Sequence, residues 1–398
     1  ASAPLFANAQ LFCSPDGSVK LGLGSAWRLA ASGENRFASL EEAFGDAPGG
    51  SAFAGFSFRP EGTSSKEWEG FASAELTVPQ ITVIASEART RMVLRGSAAG
   101  SVADLIDLLA GLDTPPAAAQ FEPGDHTVVA HPSSSDWRSE VEEAIGAIDQ
   151  GSLSKVVLSR SVDVITEHTP HPLDLVDFLR ASYPQCYVFV WQVGPAVFFG
   201  ASPELLLETS GQSVRVNPLA GSARRGEGEA DDRAVGEALM HSAKDREEHA
   251  LVVEDIAERL APFVAELTMP EAPSLRRMAT VQHLSSEMHG SLVEGVGPFQ
   301  LVAALHPTPA VGGTPRPEAL AFVDKAEGID RGWYTGGIGF VAEDGRATFA
   351  IPLRCALVVG NVSRLYAGAG IVADSNPDKE LDETRLKFRP MLNLLTAT

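Results

Sequence analysis

The sequence predicts a large antiparallel α+β fold rather than a doubly wound one. Strand-like runs follow one another in series along the 398 residues, with helices between the series. The fingerprints of dinucleotide-binding and phosphate-binding loops are absent, since the Gly-rich runs GGIG (336–339) and GAGI (368–371) lack the required spacing and the following lysine. Hydrophobic residues make up 44% and charged residues 21% of the chain, which is typical of a globular protein.

The sequence of the first 130 residues predicts short strands, one helix and a surface connection. Ala52–Phe58 and Glu75–Ala85 are short apolar runs typical of strands. Val102–Leu112 has apolar residues at helical spacing. Asp113–Gly124 contains TPPAAA and predicts a surface connection.

From residue 133 the signals are stronger. The run Ser133–Asp136 offers N-cap residues for a helix that Gly151 ends. Two further helices are predicted over Asp245–Val264 and from about Pro377. The predicted strands are Lys155–Ile165, Tyr187–Gln192, Ala196–Phe199, Leu205–Glu208, Val214–Val216, Thr335–Val341, Ala347–Val359 and Val362–Gly368.

The charge and cysteine content exclude several classes of function. With 31 basic and 52 acidic residues the net charge is −21, which disfavours nucleic acid and anionic membranes as partners. The three cysteines are far apart and predict no disulfide framework or zinc site. The start ASAPLFANAQ has no signal-peptide pattern, and no apolar run is long enough to span a bilayer. We therefore expect a cytoplasmic protein, in which any anionic ligand needs a local basic pocket.

Two predicted helices carry carboxylates in unusual places. Glu248 projects from the apolar stripe that includes Leu251 and Val252, where a carboxylate is costly unless it is paired or binds metal. The alternative is a glutamate near the helix start that reaches solvent. On the last helix, Glu380 and Glu383 share one face with Lys387. Two carboxylates on one face suit Mg²⁺, although a solvated charged face explains them equally well.

Three further features are weak when taken singly. Lys155 opens an apolar strand, and Glu204 follows Ser202-Pro203. In desolvated sites, lysine can act as a base and glutamate as an acid. The alternative is that Lys155 only ends a strand and Glu204 only lies in a turn, without a catalytic role. Gly368 and Gly370 would allow backbone N–H groups to approach an anion, yet the Gly-x-Gly pattern is common in turns.

Taken together, eight segments resemble the chorismate-utilising enzymes, which include isochorismate, salicylate, anthranilate and aminodeoxychorismate synthases. The resemblance covers residues 130–398, whereas residues 1–130 are similar only in general character. It implies one unit over residues 1–398, with antiparallel sheets stacked at the centre, helices outside, and a cleft that binds chorismate and Mg²⁺. The segments are KVVLSR (155–160), FFGASPELLL (198–207), NPLAGSARRG (217–226), SAKDREEHALVVEDI (242–256), VQHLSSEMHG (281–290), LHPTPAVGGTPRPEA (305–319), GWYTGGIGF (332–340) and AGAGIVADSNPDKELDETRLK (367–387).

The resemblance also implies roles for individual residues. Lys155 resembles the base that activates water for attack at C2 of chorismate, and Glu204 resembles the acid that protonates the departing C4 hydroxyl. Glu248 and Glu380 resemble the Mg²⁺ ligands, with Glu383 as a direct or water-mediated partner. The positions that match substrate contacts are Gly221, Ser222, His283, Ala310, Val311, Tyr334, Arg354, Gly368, Gly370 and Lys387.

Two positions favour one branch of the family. The segment LHPTPAVGG (305–313) resembles isochorismate synthases, those of siderophore pathways first and those of menaquinone pathways second. Ala220 stands where one type of aminodeoxychorismate synthase carries a lysine that forms a covalent intermediate. The resemblance thus implies a Mg²⁺-dependent, reversible isochorismate synthase that is monomeric and needs no glutaminase subunit. The alternatives are a salicylate synthase, a synthase with a glutaminase partner, and a non-catalytic protein that binds Mg²⁺ or an organic anion.

Overall fold

A computed structural model describes residues 7–96, 101–110, 121–170, 172–342 and 344–396. Its helices are α1 Arg36–Gly45, α2 Val102–Ala110, α3 Ser134–Asp149, α4 Pro172–Ser182, α5 Glu229–His241, α6 Ala243–Leu260, α7 Pro298–Leu305, α8 Arg316–Ala326 and α9 Pro377–Thr396. Its strands are β1 Asn8–Cys13, β2 Val19–Leu23, β3 Trp27–Ala31, β4 Ala52–Phe56, β5 Ala74–Val78, β6 Ile81–Ala85, β7 Thr90–Leu94, β8 His126–His131, β9 Lys155–Thr166, β10 Tyr187–Val193, β11 Ala196–Ser202, β12 Leu205–Ser210, β13 Ser213–Asn217, β14 Leu219–Arg224, β15 Val264–Thr268, β16 Ser274–Arg277, β17 Val281–Ser285, β18 Met288–Leu292, β19 Gly313–Thr314, β20 Gly337–Val341, β21 Ala347–Ala350, β22 Cys355–Val359 and β23 Val362–Ile371.

The strands form three sheets. The first has the order β19-β9-β23-β22-β11-β10-β1-β2-β6-β7, and β8 pairs with β9 beside this path. The second has the order β15-β18-β13-β12-β21-β20-β4-β5-β3, and the third is β14-β17-β16. All strand pairs among the described residues are antiparallel, so the predicted fold class is confirmed.

The two large sheets face each other across an aromatic core. Phe12 and Phe198 come from the first sheet, and Phe53 and Phe340 come from the second. Helices α1, α6 and α7 cover the outer face of the second sheet. Helices α3, α4, α8 and α9 cover the first. Because both faces of the central strands are buried, those strands contain nearly continuous apolar runs instead of alternating patterns.

The predicted helix after Ser133 is confirmed together with its two ends. The Ser133 hydroxyl accepts a hydrogen bond from the Asp136 N–H at 3.2 Å, and Gly151 has a φ of +77°. The helix predicted over Val102–Leu112 is α2. Most of the predicted connection at Asp113–Gly124 lies outside the described residues.

The single strand predicted over Ala347–Val359 is wrong. The segment forms β21 in the second sheet and β22 in the first, with a break between them. Pro352 cannot donate a ladder hydrogen bond, and Arg354 has a φ of +48°, so neither residue fits a continuous strand. The break carries the chain from one large sheet to the other.

A second crossing between the same two sheets runs beside this one, from β11 to β12. The Ile351 N–H donates to the Glu204 carbonyl at 3.1 Å, and the Ala201 N–H donates to the Arg354 carbonyl at 3.1 Å. The Ser202 hydroxyl donates to the Ile351 carbonyl at 2.5 Å. These bonds fasten the two crossings to each other, and each crossing carries one predicted site residue: Glu204 and Arg354.

Candidate active site

A cavity opens beside the two crossings, between them and the third sheet. Helix α6, helix α9 and the loop after α7 complete its walls. Of the predicted site residues, only Lys155 and Glu380 are not part of the lining. Those that line it are Glu204, Gly221, Ser222, Glu248, His283, Ala310, Val311, Tyr334, Arg354, Gly368, Gly370, Glu383 and Lys387.

Glu204 is a buried acid at this cavity, with 5% of the residue exposed. Burial raises the pKa of Glu204 to about 7, although the charges of Lys155, Lys387 and Arg354 oppose the shift. A carboxyl group with this pKa carries a proton during much of its time near neutral pH. It can therefore donate that proton to a leaving group.

Lys155 lies directly behind the cavity wall, with 1% of its side chain exposed. Its ammonium nitrogen is 2.9 Å from Oε1 of Glu248. Burial alone would raise the pKa of Glu248, but the charge of Lys155, followed by those of Lys387 and Lys244, keeps it below the ordinary value. The predicted solvent-exposed alternative for Glu248 is therefore wrong, because this carboxylate is paired inside the protein.

Arg354 is a buried cation without an anionic partner. It is 9% exposed, and among the described residues no carboxylate lies within 4.0 Å of its guanidinium group. A buried charge is costly unless it is paired, and guanidinium binds carboxylates in a bidentate manner. The unpaired Arg354 thus indicates a carboxylate ligand in the cavity.

Neutral polar groups line the cavity wall that is formed by the third sheet and by the turn before β20. The Ser222 hydroxyl and His283 Nδ1 are 2.9 Å apart. Burial, followed by the charges of Arg354 and Lys387, lowers the pKa of His283 well below its ordinary value, so the imidazole is neutral. Burial raises the pKa of Tyr334, which keeps the phenol protonated. These groups can hydrogen-bond a hydroxylated ligand without adding charge.

Each predicted metal-binding carboxylate has a lysine partner. Besides the Lys155–Glu248 pair, Lys244 Nζ is 2.6 Å from Glu380 Oε1, and Lys387 Nζ is 2.6 Å from Glu383 Oε1. Within the described ranges, no group of three or more acidic, histidine or cysteine side chains is arranged to hold a metal ion. Mg²⁺ needs only one or two protein carboxylates and keeps its remaining ligands as water. The oxygen donors on α6 and α9 therefore fit this ion.

A wider cavity lies elsewhere, between β2, β7, β12 and β21. Lys20, Arg89 and Arg91 line it together with serine and threonine hydroxyls. Acidic residues also line this wider cavity, but none of the lysines and arginines in its lining is buried. The narrower cavity is therefore the candidate active site, because a proton donor and cations surround the same space.

The family model described as chorismate binding enzyme matches residues 6–396. The chain belongs to the chorismate-binding enzymes.

Named relatives of this chorismate-binding enzyme are isochorismate synthases. The salicylate biosynthesis isochorismate synthase of Pseudomonas aeruginosa is 36% identical, with 94% of this chain and 82% of that protein covered. Isochorismate synthase DhbC of Bacillus subtilis is 40% identical, with 66% and 68% covered. The solved structure of MenF, the menaquinone-specific isochorismate synthase of Escherichia coli, has a TM-score of 0.84 at 26% identity, with 98% and 88% covered.

One buried arginine that contacts the cavity wall is not evident from the sequence pattern of this chorismate-binding enzyme. Arg331 donates to the Val311 carbonyl at 2.8 Å and to the Val157 carbonyl at 2.7 Å. It also forms a buried ion pair with Glu327. These bonds position the loop that carries Ala310 and Val311. The only sequence signal is a pair of opposite charges four residues apart, which is typical of an exposed helix face.

No helix among the described residues is both long and apolar enough to cross a membrane.

Gly370 explains how the Lys155–Glu248 pair fits against β23. A Cβ atom at this position would lie 2.4 Å from Glu248 Oε1 and 3.0 Å from Lys155 Cε. We expect Gly370→Ala to lower turnover at least about tenfold, because Glu248 must swing away from Lys155. The free energy of unfolding should fall by only about 1–3 kcal/mol, since the displaced atom ends a flexible side chain.

The matched control for this substitution is Gly146→Ala in α3, where a Cβ would meet nothing within 4 Å. Steady-state turnover and the thermal melting temperature are measured for both variants and compared with those of the original protein. Full activity in Gly370→Ala would show that the position of Glu248 is unimportant for turnover.

Proposed function

We propose that this chorismate-binding enzyme is an isochorismate synthase, an isomerase that converts chorismate to isochorismate. The observation that carries the proposal is the buried acid Glu204, with its pKa near 7, at a cavity that is also lined by Glu248, the partner of the buried Lys155. Ala220 also lines the cavity, so a protein amine does not occupy that position as a nucleophile. Water is therefore the nucleophile that this site favours. The names of the relatives at 36% and 40% identity support the same activity.

Binding of the substrate dianion uses the cations of the cavity. The unpaired Arg354 is suited to one carboxylate, and Lys387 lies on the lining beside Gly368. Lys387 Nζ already donates to the Gly368 carbonyl at 2.8 Å, which fixes its position. This local positive charge overcomes the repulsion expected from a chain with a net charge of −21.

The proposed reaction moves a hydroxyl group through the addition and loss of water. Lys155 accepts a proton from water as the oxygen bonds to C2 of the ring. The ring double bonds shift, and the C4–oxygen bond breaks as Glu204 gives its proton to the departing hydroxyl. One water enters and one leaves, so the product is an isomer, and the proton that Lys155 gains returns through solvent to Glu204 before the next turnover. Acid and base contributions of this kind are each worth about 10²–10⁴-fold in rate.

We propose Glu248 and Glu380 as Mg²⁺ ligands, with Glu383 as a direct or water-mediated partner. When bound, Mg²⁺ supplies a positive charge that anchors a substrate carboxylate. Glu248 then has a second task, because its carboxylate is also the partner of Lys155. The Lys155 nitrogen lies 2.9 Å from this carboxylate, so Glu248 must release the contact before the nitrogen can hydrogen-bond the attacking water.

The test of the proposed function is a product assay with chorismate. Purified protein is incubated with chorismate and Mg²⁺, with and without ammonia, and the products are separated by chromatography, with Glu204→Gln protein as the matched control. We expect isochorismate in equilibrium with chorismate, and no pyruvate. Salicylate with equimolar pyruvate would identify a salicylate synthase, and an ammonia-dependent amine would identify an aminating synthase. Substrate binding without turnover would identify a binding protein.

A further inference from the structure

Lys244 differs from the other two lysines that contact the carboxylate cluster, which we define as Glu248, Glu380 and Glu383. Lys155 is the proposed base, and Lys387 lines the cavity and donates to Gly368. Lys244 has neither task, because the cavity lining does not include it. Among the described residues, its ammonium group has one partner within hydrogen-bond distance, Oε1 of Glu380 at 2.6 Å.

The position of Lys244 places a cation in contact with one member of the carboxylate cluster and near the other two. Glu380 attracts it most strongly, and Glu248 and Glu383 add to that attraction. The side chain of Glu380 is only 2% exposed, whereas that of Lys244 is 27% exposed. The buried carboxylate therefore requires a counter-charge, and the lysine that supplies it has a route to solvent.

We propose that Lys244 is the resident counter-ion of the carboxylate cluster and competes with the divalent cation for Glu380. The inference rests on the proposed Mg²⁺ site and adds a residue that tunes its affinity. The cation and the ammonium group cannot both occupy the same carboxylate oxygen, and two positive charges about 4 Å apart repel each other. Lys244 therefore leaves Glu380 when the metal binds.

The side-chain type suits this exchange. A lysine has a compact ammonium group on a flexible four-carbon stem, which can swing into water without breaking a second bond. Arginine in the same place would bind Glu380 through two parallel hydrogen bonds and would be harder to displace. The pairing also spares the metal-free protein an unpaired buried carboxylate, which would destabilise it.

The experiment is calorimetric titration of the purified protein with MgCl₂ at one fixed pH. Lys244→Met removes the competing charge, and we expect it to bind Mg²⁺ about tenfold more tightly than the original protein. Lys244→Arg retains the charge and should bind Mg²⁺ equally or more weakly. The charge-matched control is Lys325→Met, because Lys325 is 73% exposed and contacts only Glu143 among the ion pairs.

A second readout is independent of turnover. Thermal melting with and without MgCl₂ should show a larger stabilisation by Mg²⁺ in Lys244→Met than in the original protein. If Lys244→Met folds poorly without metal, Lys244→Gln is titrated in its place. Unchanged or weaker Mg²⁺ binding in folded Lys244→Met and Lys244→Gln would overturn the competition while leaving the metal site standing. Absence of Mg²⁺ binding in the original protein would overturn both proposals.

Discussion

Lys155→Met is expected to lower turnover of chorismate by about 10²–10⁴-fold, because it removes the group that accepts a proton from water. Methionine preserves the aliphatic stem inside the core, where only 1% of the lysine side chain is exposed. The substitution also leaves the Glu248 carboxylate without its 2.9 Å partner. Loss of one member of a buried pair lowers the free energy of unfolding by about 3–5 kcal/mol, so the variant should also melt earlier.

A double substitution separates the catalytic loss from the structural one. Lys155→Met with Glu248→Gln removes both charges, so we expect stability to recover toward that of the original protein. Turnover should stay low, because the proton acceptor is still missing and Glu248→Gln also removes a proposed Mg²⁺ ligand. Chemical denaturation and single-turnover kinetics on the three proteins make the measurement. Recovery of activity together with stability would mean that Lys155 serves only to pair Glu248.

Glu204→Gln should produce a loss of similar size, about 10²–10⁴-fold in kcat, because the amide cannot protonate the departing hydroxyl. The pKa of Glu204 near 7 also predicts a pH effect. The acid is active while protonated, so kcat of the original protein should fall as the pH rises above about 7. This limb should be absent from whatever activity remains in Glu204→Gln. Glu143→Gln, at an exposed ion pair, should retain the original profile.

The same pKa predicts the sign of a stability change. The unfolded chain loses the Glu204 proton near pH 4.5, whereas the folded protein retains it to about pH 7. The folded state therefore binds more protons in that window, and this group makes the protein less stable as the pH rises through it. Glu204→Gln removes the effect, so it should be more stable than the original protein at pH 8 but not at pH 4. Equal stability at both values would contradict the raised pKa.

The sequence predicts the fold class because its strand patterns are local. The helix after Ser133 has both of its end signals, and the structure contains it with the same cap. Helix α7, with the sequence PFQLVAAL, is buried on most sides, so it has no amphipathic period to reveal it. The break between β21 and β22 depends on which sheet each half joins, and only tertiary packing decides that.

The site was partly predictable for a different reason. The motifs identified most of the residues that the fold places around the cavity. The roles of Lys155, Glu204 and the metal ligands stay proposals. Pattern alone favoured a solvent-exposed Glu248, because the partner that buries it comes from a strand far away in the chain. Lys244 and Arg331 escaped notice because each acts on an element distant in sequence, namely α9 for the first and the loop at Val311 for the second.

The paired crossings also affect how the chain reaches its active form. The bond from Ser202 to Ile351 joins residues 149 positions apart, and the Lys244–Glu380 pair joins residues 136 positions apart. Contacts of such long separation form late, because closing a long loop costs entropy before any contact compensates for it. We therefore expect a nascent chain that lacks α9 to have much of its secondary structure but no working catalytic cavity. Substrate turnover would then begin only after α9 has been synthesised and has docked.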